Sequence, residues 1–141
     1  MNHYNGFSPA QRNKAQAWLN KQWSTGSFAR PMSCCACTQD KGIIDAHAED
    51  YSEPFAQGKT DQYHLCFRCH MAVHCRFRNP DAYARYAQEV YAGTVYKPFY
   101  TRDFFAFAKQ QLDDWCPAID YYSLNTTNVL DVIGSGYAKR T

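Results

Sequence analysis

Between residues 8 and 24, apolar side chains recur at helical spacing at Ala15, Trp18, Leu19 and Trp23. Ser8 stands where an N-cap belongs, and Pro9 suits the first helical position. Arg12, Lys14 and Lys21 fall outside that stripe, which predicts a helix with a charged outer face. Thr25-Gly26-Ser27 ends the pattern. After Lys41-Gly42 the period changes: Gly-Ile-Ile-Asp-Ala-His-Ala, closing at Ala48, is short and partly β-branched, as expected of a strand entered from a turn. In an extended chain Asp45 and His47 share one face, with Ala46 and Ala48 on the other. Ser52-Glu53-Pro54 and Gln57-Gly58-Lys59 mark a loop, and Gln62 to Leu65 reads as a strand returning into Cys66.

A short helix is expected after Cys66, carrying His70 and His74 one turn apart on the same face. Asn79-Pro80-Asp81 starts another helix, which runs to about Ala92 and stops at Gly93; its stripe is Tyr83, Tyr86, Ala87 and Val90. Thr101 and Asp103 suit the start of a further helix, with Phe104, Phe105, Ala108, Leu112 and Trp115 on its buried face and Pro117 beyond its end. Residues 117–141 show no firm period. The pattern predicts a single α+β domain over residues 1–141. Its parts are an N-terminal helix at 8–24, a core at 32–78, a helical extension at 79–116 and a tail at 117–141.

Composition supports a folded chain. Of 141 residues 45% are hydrophobic and 20% charged, and three Trp, eleven Tyr and nine Phe supply more aromatic surface than a disordered chain carries. The net charge of +2 is too small to demand a nucleic-acid partner, so any such partner must be argued from a local patch. The start MNHYNGFSPAQRNK shows no apolar run of signal-peptide length, and no segment approaches membrane-span length. The expectation is a cytoplasmic protein without a membrane partner.

In a reducing compartment, seven cysteines of which four form two Cys-x-x-Cys pairs point to metal rather than disulfides. Cys34/Cys37 and Cys66/Cys69 each form a knuckle offering two thiolates. The loop between them is long enough to bring both to one tetrahedral zinc. Four thiolates close that shell and leave no position for substrate, so this ion is structural. Cys35, Cys75 and Cys116 remain over and read as buried thiols, although Cys35 and Cys75 lie close enough in sequence to replace a ligand.

Cys34-x-x-Cys37, then Asp45-Ala46-His47-Ala48-Glu49-Asp50-Tyr51-Ser52, then Leu65-Cys66-x-x-Cys69-His70 with His74, resemble the HNH, or ββα-metal, nuclease superfamily. The likeness is nearest to small zinc-knuckle HNH proteins of phages and bacteria and covers residues 32–76, about a third of the chain. It implies a zinc-braced hairpin and helix, with a second ion in the crevice between them. His47, His70 and His74 would hold that ion, Mg²⁺, Mn²⁺ or Zn²⁺, with positions left for water and a phosphate oxygen. A second structural zinc, completed by Cys35 or Cys75, is the competing reading.

The family usually carries a histidine general base directly after the metal-binding residue, and that position is Ala48, which accepts no proton. The family's middle Asn falls on Asp61. His64, Asp45 and Asp50 are the stand-ins for the base, with His47 itself the base in a shifted register. Arg68, Arg76 and Arg78 cluster on and after the short helix and are expected to contact DNA phosphates, with Arg85, Arg12, Lys14 and Lys21 extending the surface. The expected function is a metal-dependent DNA endonuclease or nickase. The alternative is an inactive zinc-binding module that contacts DNA or a host protein in a regulatory or phage-related role. Tyr121, Tyr122 and the tail could cover the helical core or dock a partner, and exposed Tyr and Phe would favour a homodimer or a protein contact.

Overall fold

The structure, a computed structural model, describes residues 3–76 and 80–103. Along it run α1 (Pro9–Ser24), β1 (Ile44–His47), β2 (Tyr63–Cys66), α2 (Phe67–Cys75) and α3 (Pro80–Ala92). The described chain is therefore α+β, with a two-stranded antiparallel sheet. The expected helix over Phe104 to Trp115, Cys116, Tyr121, Tyr122 and the rest of the tail lie outside the described residues, as does Arg78.

α1 starts with a capping box. Gln11 N–H donates to the Ser8 hydroxyl at 3.2 Å, and the Gln11 side chain accepts the Ser8 N–H at 2.8 Å. Ala15 and Leu19 are buried as expected, but so is Arg12. The residues before α1 fold back on themselves, Tyr4 and Phe7 exchanging both backbone hydrogen bonds, and this tucks Tyr4 wholly inside. The Arg12 guanidinium then lies 5.2 Å from the Tyr4 ring centre and 5.1 Å from that of Tyr51. The expectation that Arg12 tracks phosphates is corrected: two aromatic faces hold its charge indoors.

In the hairpin Asp45 pairs with Leu65 and His47 with Tyr63, while Ala46 pairs with His64 and Ile44 with Cys66. Directly opposed residues share a face, so Asp45 and His47 stand on one side of the sheet and His64 on the other. α2 grows directly out of β2, with Cys66 as its N-cap. It packs on both strands and on α3, its Ala72 and Val73 joining Ala82, Tyr83, Tyr86 and Val90 in one apolar cluster. α3 ends in a Schellman turn, Gly93 N–H bonding Val90 O and Thr94 N–H bonding Glu89 O, both at 3.0 Å, with Gly93 at φ +100°.

The chain after α3 returns to the sheet. Ile43 N–H donates to Phe99 O at 2.7 Å, and Gln39 Nε2 donates to Tyr96 O at 2.5 Å. This approach needs a glycine: Gly42 has φ +68°, and a Cβ there would sit 2.3 Å from the Phe99 carbonyl oxygen. Gly58 has φ +79° but open space around it. Gly58→Ala should therefore cost only the left-handed penalty of about 1–2 kcal/mol. Gly42→Ala should exceed it by about 2 kcal/mol, because a backbone strand has to move as well. Urea unfolding of the two variants checks the difference, and equal costs would contradict the Phe99 contact.

Candidate metal centres

The first centre is built from two matching turns. Cys37 N–H points to Cys34 Sγ and Cys69 N–H to Cys66 Sγ, each at 3.5 Å, so each Cys-x-x-Cys wraps its own first sulfur. The first knuckle is tied to the hairpin by Cys35 N–H donating to His64 O at 2.7 Å, and it is closed by Cys34 N–H donating to Gln39 O at 2.8 Å. All four cysteines are buried, and their sulfurs lie within 4.8 Å of one another. Cys37 and Cys66 Sγ are 3.7 Å apart. A disulfide would need about 2.05 Å, whereas a tetrahedron of bonds near 2.3 Å has edges of about 3.8 Å. Burial pushes the Cys69 thiol well up, so a thiolate there requires a cation beside it. The four cysteines thus form a possible structural zinc site. Cys35 belongs to neither cluster of potential ligands among the described residues, and burial pushes its thiol up to about 12. Cys75 likewise joins neither.

The second cluster faces α2 from β1. His47, His70 and His74 bring one ring nitrogen each within 4.8 Å of the others. His70 and His74 face each other through their Nε2 atoms at 3.0 Å. His70 Nδ1 lies 3.1 Å from Asp45 Oδ2. An ionised carboxylate accepts only, so His70 carries its proton on Nδ1 and keeps a lone pair on Nε2. Burial works against ionising Asp45, but the bonds from His70 and Arg102 prevail and hold it below the usual carboxylate range.

Glu49 acts on His47 in the same way. Its Oε2 lies 2.5 Å from His47 Nε2, which leaves the His47 lone pair on Nδ1, an atom buried with no hydrogen-bond partner among the described residues. Glu49 is itself held by Arg76, whose Nη2 donates to Oε1 at 2.5 Å, and by the Tyr4 hydroxyl. Arg76 Nη1 also donates to Tyr4 Oη and to Val73 O, each at 2.7 Å. Burial raises the Glu49 carboxyl in spite of the Arg76 charge. Two carboxylates on two imidazoles thus fix which nitrogens stay unprotonated, the arrangement that supports metal-bound histidines.

Several sequence expectations change here. Arg76 is 1% exposed and spent on Glu49 and Tyr4, so it is not a surface phosphate contact. Arg68 is 2% exposed, its guanidinium 4.4 Å from the Tyr96 ring centre and 5.2 Å from that of Tyr86, beneath α3. His64 stands on the opposite sheet face, its Nε2 3.9 Å from Asp61 Oδ2, and does not join the imidazole trio. Asp50 is engaged with the Ser52 N–H and hydroxyl in its own turn. Asp61 braces the loop by accepting Gly58 N–H at 2.6 Å.

His70 and His74 are both partly exposed, the His70 side chain keeping 16% exposure, while that of His47 keeps none. His70 and Asp45 form part of the wall of a cleft of about 570 Å³, with Arg30 and Arg102 on the same wall. The sequence pattern singled out neither arginine, nor Tyr4 and Glu49. For Glu49 the signal was present, as a carboxylate two residues beyond a candidate ligand. For the others only the fold provides it. In comparisons with protein-family models, curated proteins and solved structures, nothing matches the chain significantly.

His47 and His74 are both held well below the ordinary imidazole range, chiefly by burial. The unfolded chain therefore takes up protons below about pH 6.5 that the folded chain refuses, so stability is complete above that pH and falls as the pH drops further. Each histidine adds about 1.4 kcal/mol per pH unit to the slope. In His74→Gln the slope below pH 6.5 should fall by about one proton, measured by denaturation from pH 7.5 to 5. Identical slopes would contradict the burial of His74 as a neutral group.

Proposed function

We propose that the chain is a metal-dependent endonuclease or nickase of the HNH type that hydrolyses phosphodiester bonds in DNA. In this reading the four cysteines brace the fold, and His47, His70 and His74 hold a second divalent ion. The observation that carries the reading is the convergence of three imidazoles, two with carboxylate-fixed tautomers, beside a cleft lined by Arg30 and Arg102. The order strand, strand, helix, with one histidine on β1 and two on one face of α2, supports the same family resemblance.

An ion so held would polarise a phosphoryl oxygen and acidify a bound water. Asp45 and Glu49 orient the ligand imidazoles, and Tyr4 with Arg76 fixes Glu49 in turn. Arg102 contacts Asp45 while its side chain remains 64% exposed, so it can neutralise phosphate charge next to His70. Phosphate contact thus passes from the buried Arg68 and Arg76 to Arg102 and Arg30.

Position 48 favours a second reading. Ala48 is buried, offers no proton acceptor, and stands where the family carries its base. The same scaffold would then bind DNA, or a host protein, without cutting. A supercoiled plasmid incubated with the protein and Mg²⁺, Mn²⁺ or Zn²⁺ separates the two. The nuclease reading expects nicking with at least one ion and a loss of about 100-fold or more in His70→Ala. Salt-dependent binding with no nicking under any ion would establish the binder instead.

A further inference from the structure

Beyond the ligands, one face of α1 contributes to the cleft. Gln16, Asn20 and Trp23 recur at i, i+4 and i+7 and line it together with His70. The Arg30 guanidinium lies 4.9 Å from the Trp23 ring centre, giving a flat, cationic π-wall. Gln16 Nε2 donates to Asn20 Oδ1 at 3.0 Å, which leaves an amide oxygen of one and an amino group of the other to serve a ligand. Asp45 is the one carboxylate among the lining residues, and it is already engaged by His70 and Arg102. The wall therefore favours an anion. Its size, about 570 Å³, suits a ligand with one ring system and one charged group rather than a double helix.

From this juxtaposition we infer that the cleft takes one unpaired nucleotide of a single-stranded nucleic acid. The base packs on Trp23 and Arg30, with its edge served by Gln16 and Asn20, and the phosphate lies toward Arg102 and His70. The chemistry required is common to every nucleobase: a π-face, a donor and acceptor edge, and an adjacent anion. A paired base within a duplex has its faces covered by its neighbours and its pairing edge occupied, so it cannot enter such a wall without being flipped. The inference deepens the nuclease reading and rests on it for the phosphate position. It predicts selection of strand state at the cleft.

The test is fluorescence anisotropy with the full-length protein carrying its zinc, no further divalent ion added, using an end-labelled single-stranded oligonucleotide and the same sequence as a blunt duplex. The single strand should bind about tenfold more tightly than the duplex. Trp23→Leu and Arg30→Gln should each weaken single-strand binding about fivefold or more; Trp23→Leu should leave duplex binding nearly unchanged, and Arg30→Gln should weaken it less than single-strand binding. Arg30 is exposed, so Arg30→Gln retains the fold if Trp23→Leu does not, and zinc content verifies both. Duplex binding equal to or tighter than single-strand binding, or single-strand binding unchanged in Arg30→Gln, overturns the inference. Plasmid nicking that persists in that case leaves the nuclease reading standing. Single-strand selectivity with no cleavage under any ion sinks the nuclease reading alone.

Discussion

Two turns, each wrapping an N–H around its own sulfur, bring Cys34, Cys37, Cys66 and Cys69 into one buried cluster, and the rest of the fold is arranged around that meeting. Cys66 is at once the last residue of β2, the N-cap of α2 and a member of the cluster. One residue thereby fixes the angle at which the helix leaves the hairpin. Four thiols buried this closely pack poorly without a cation, and a shared ion would convert them from a cost into a cross-link between distant parts of the chain. With the hairpin and α2 locked in this way, the parity of β1 turns Asp45 and His47 toward the helix, and the i, i+4 spacing turns His70 and His74 toward the strand.

A second constraint works on the far side of the histidines. Glu49 gathers Arg76, Tyr4 and His47 in an almost wholly buried knot, with Arg12 stacked on the same tyrosine. Charges so placed are costly to bury singly and tolerable only as a satisfied set, which makes each partner sensitive to loss of another. The knot also sets the chemistry. Because Glu49 accepts a hydrogen bond from His47 Nε2–H, the lone pair remains on Nδ1, just as Asp45 leaves it on Nε2 of His70. The residues that stabilise this corner of the core are the ones that fix which imidazole nitrogens keep a lone pair.

Much of this arrangement could be read from the sequence. Ser8 and Pro9 marked the start of α1, the two Cys-x-x-Cys spacings named the brace, and the shared face of Asp45 and His47 followed from strand alternation alone. These signals are local. The arginines were misread because their partners are remote: Arg76 reaches Tyr4 near the opposite end of the described chain, and Arg68 lies beneath Tyr86 and Tyr96 of segments that fold over it. Arginine in a sequence signals charge but not whether an aromatic face or a carboxylate will cover it. His64 was misplaced for a different reason: alternation separates Tyr63 and Leu65 from His64, but only the register with Ala46 shows which set faces α2. The cleft was invisible because α1, Arg30, β1 and Arg102 meet there from four separate stretches.

The central claim is that a closed sulfur site and an open imidazole site coexist in one hairpin-and-helix unit. Zinc-edge anomalous diffraction from crystals grown with zinc and without chelator tests it most directly. Two ions are predicted, one among the four sulfurs at about 2.3 Å and one on His47, His70 and His74 at about 2.0–2.1 Å, the latter with at least one non-protein position facing the cleft. A lone ion among the sulfurs, or a second ion closed by a fourth protein ligand, would contradict it.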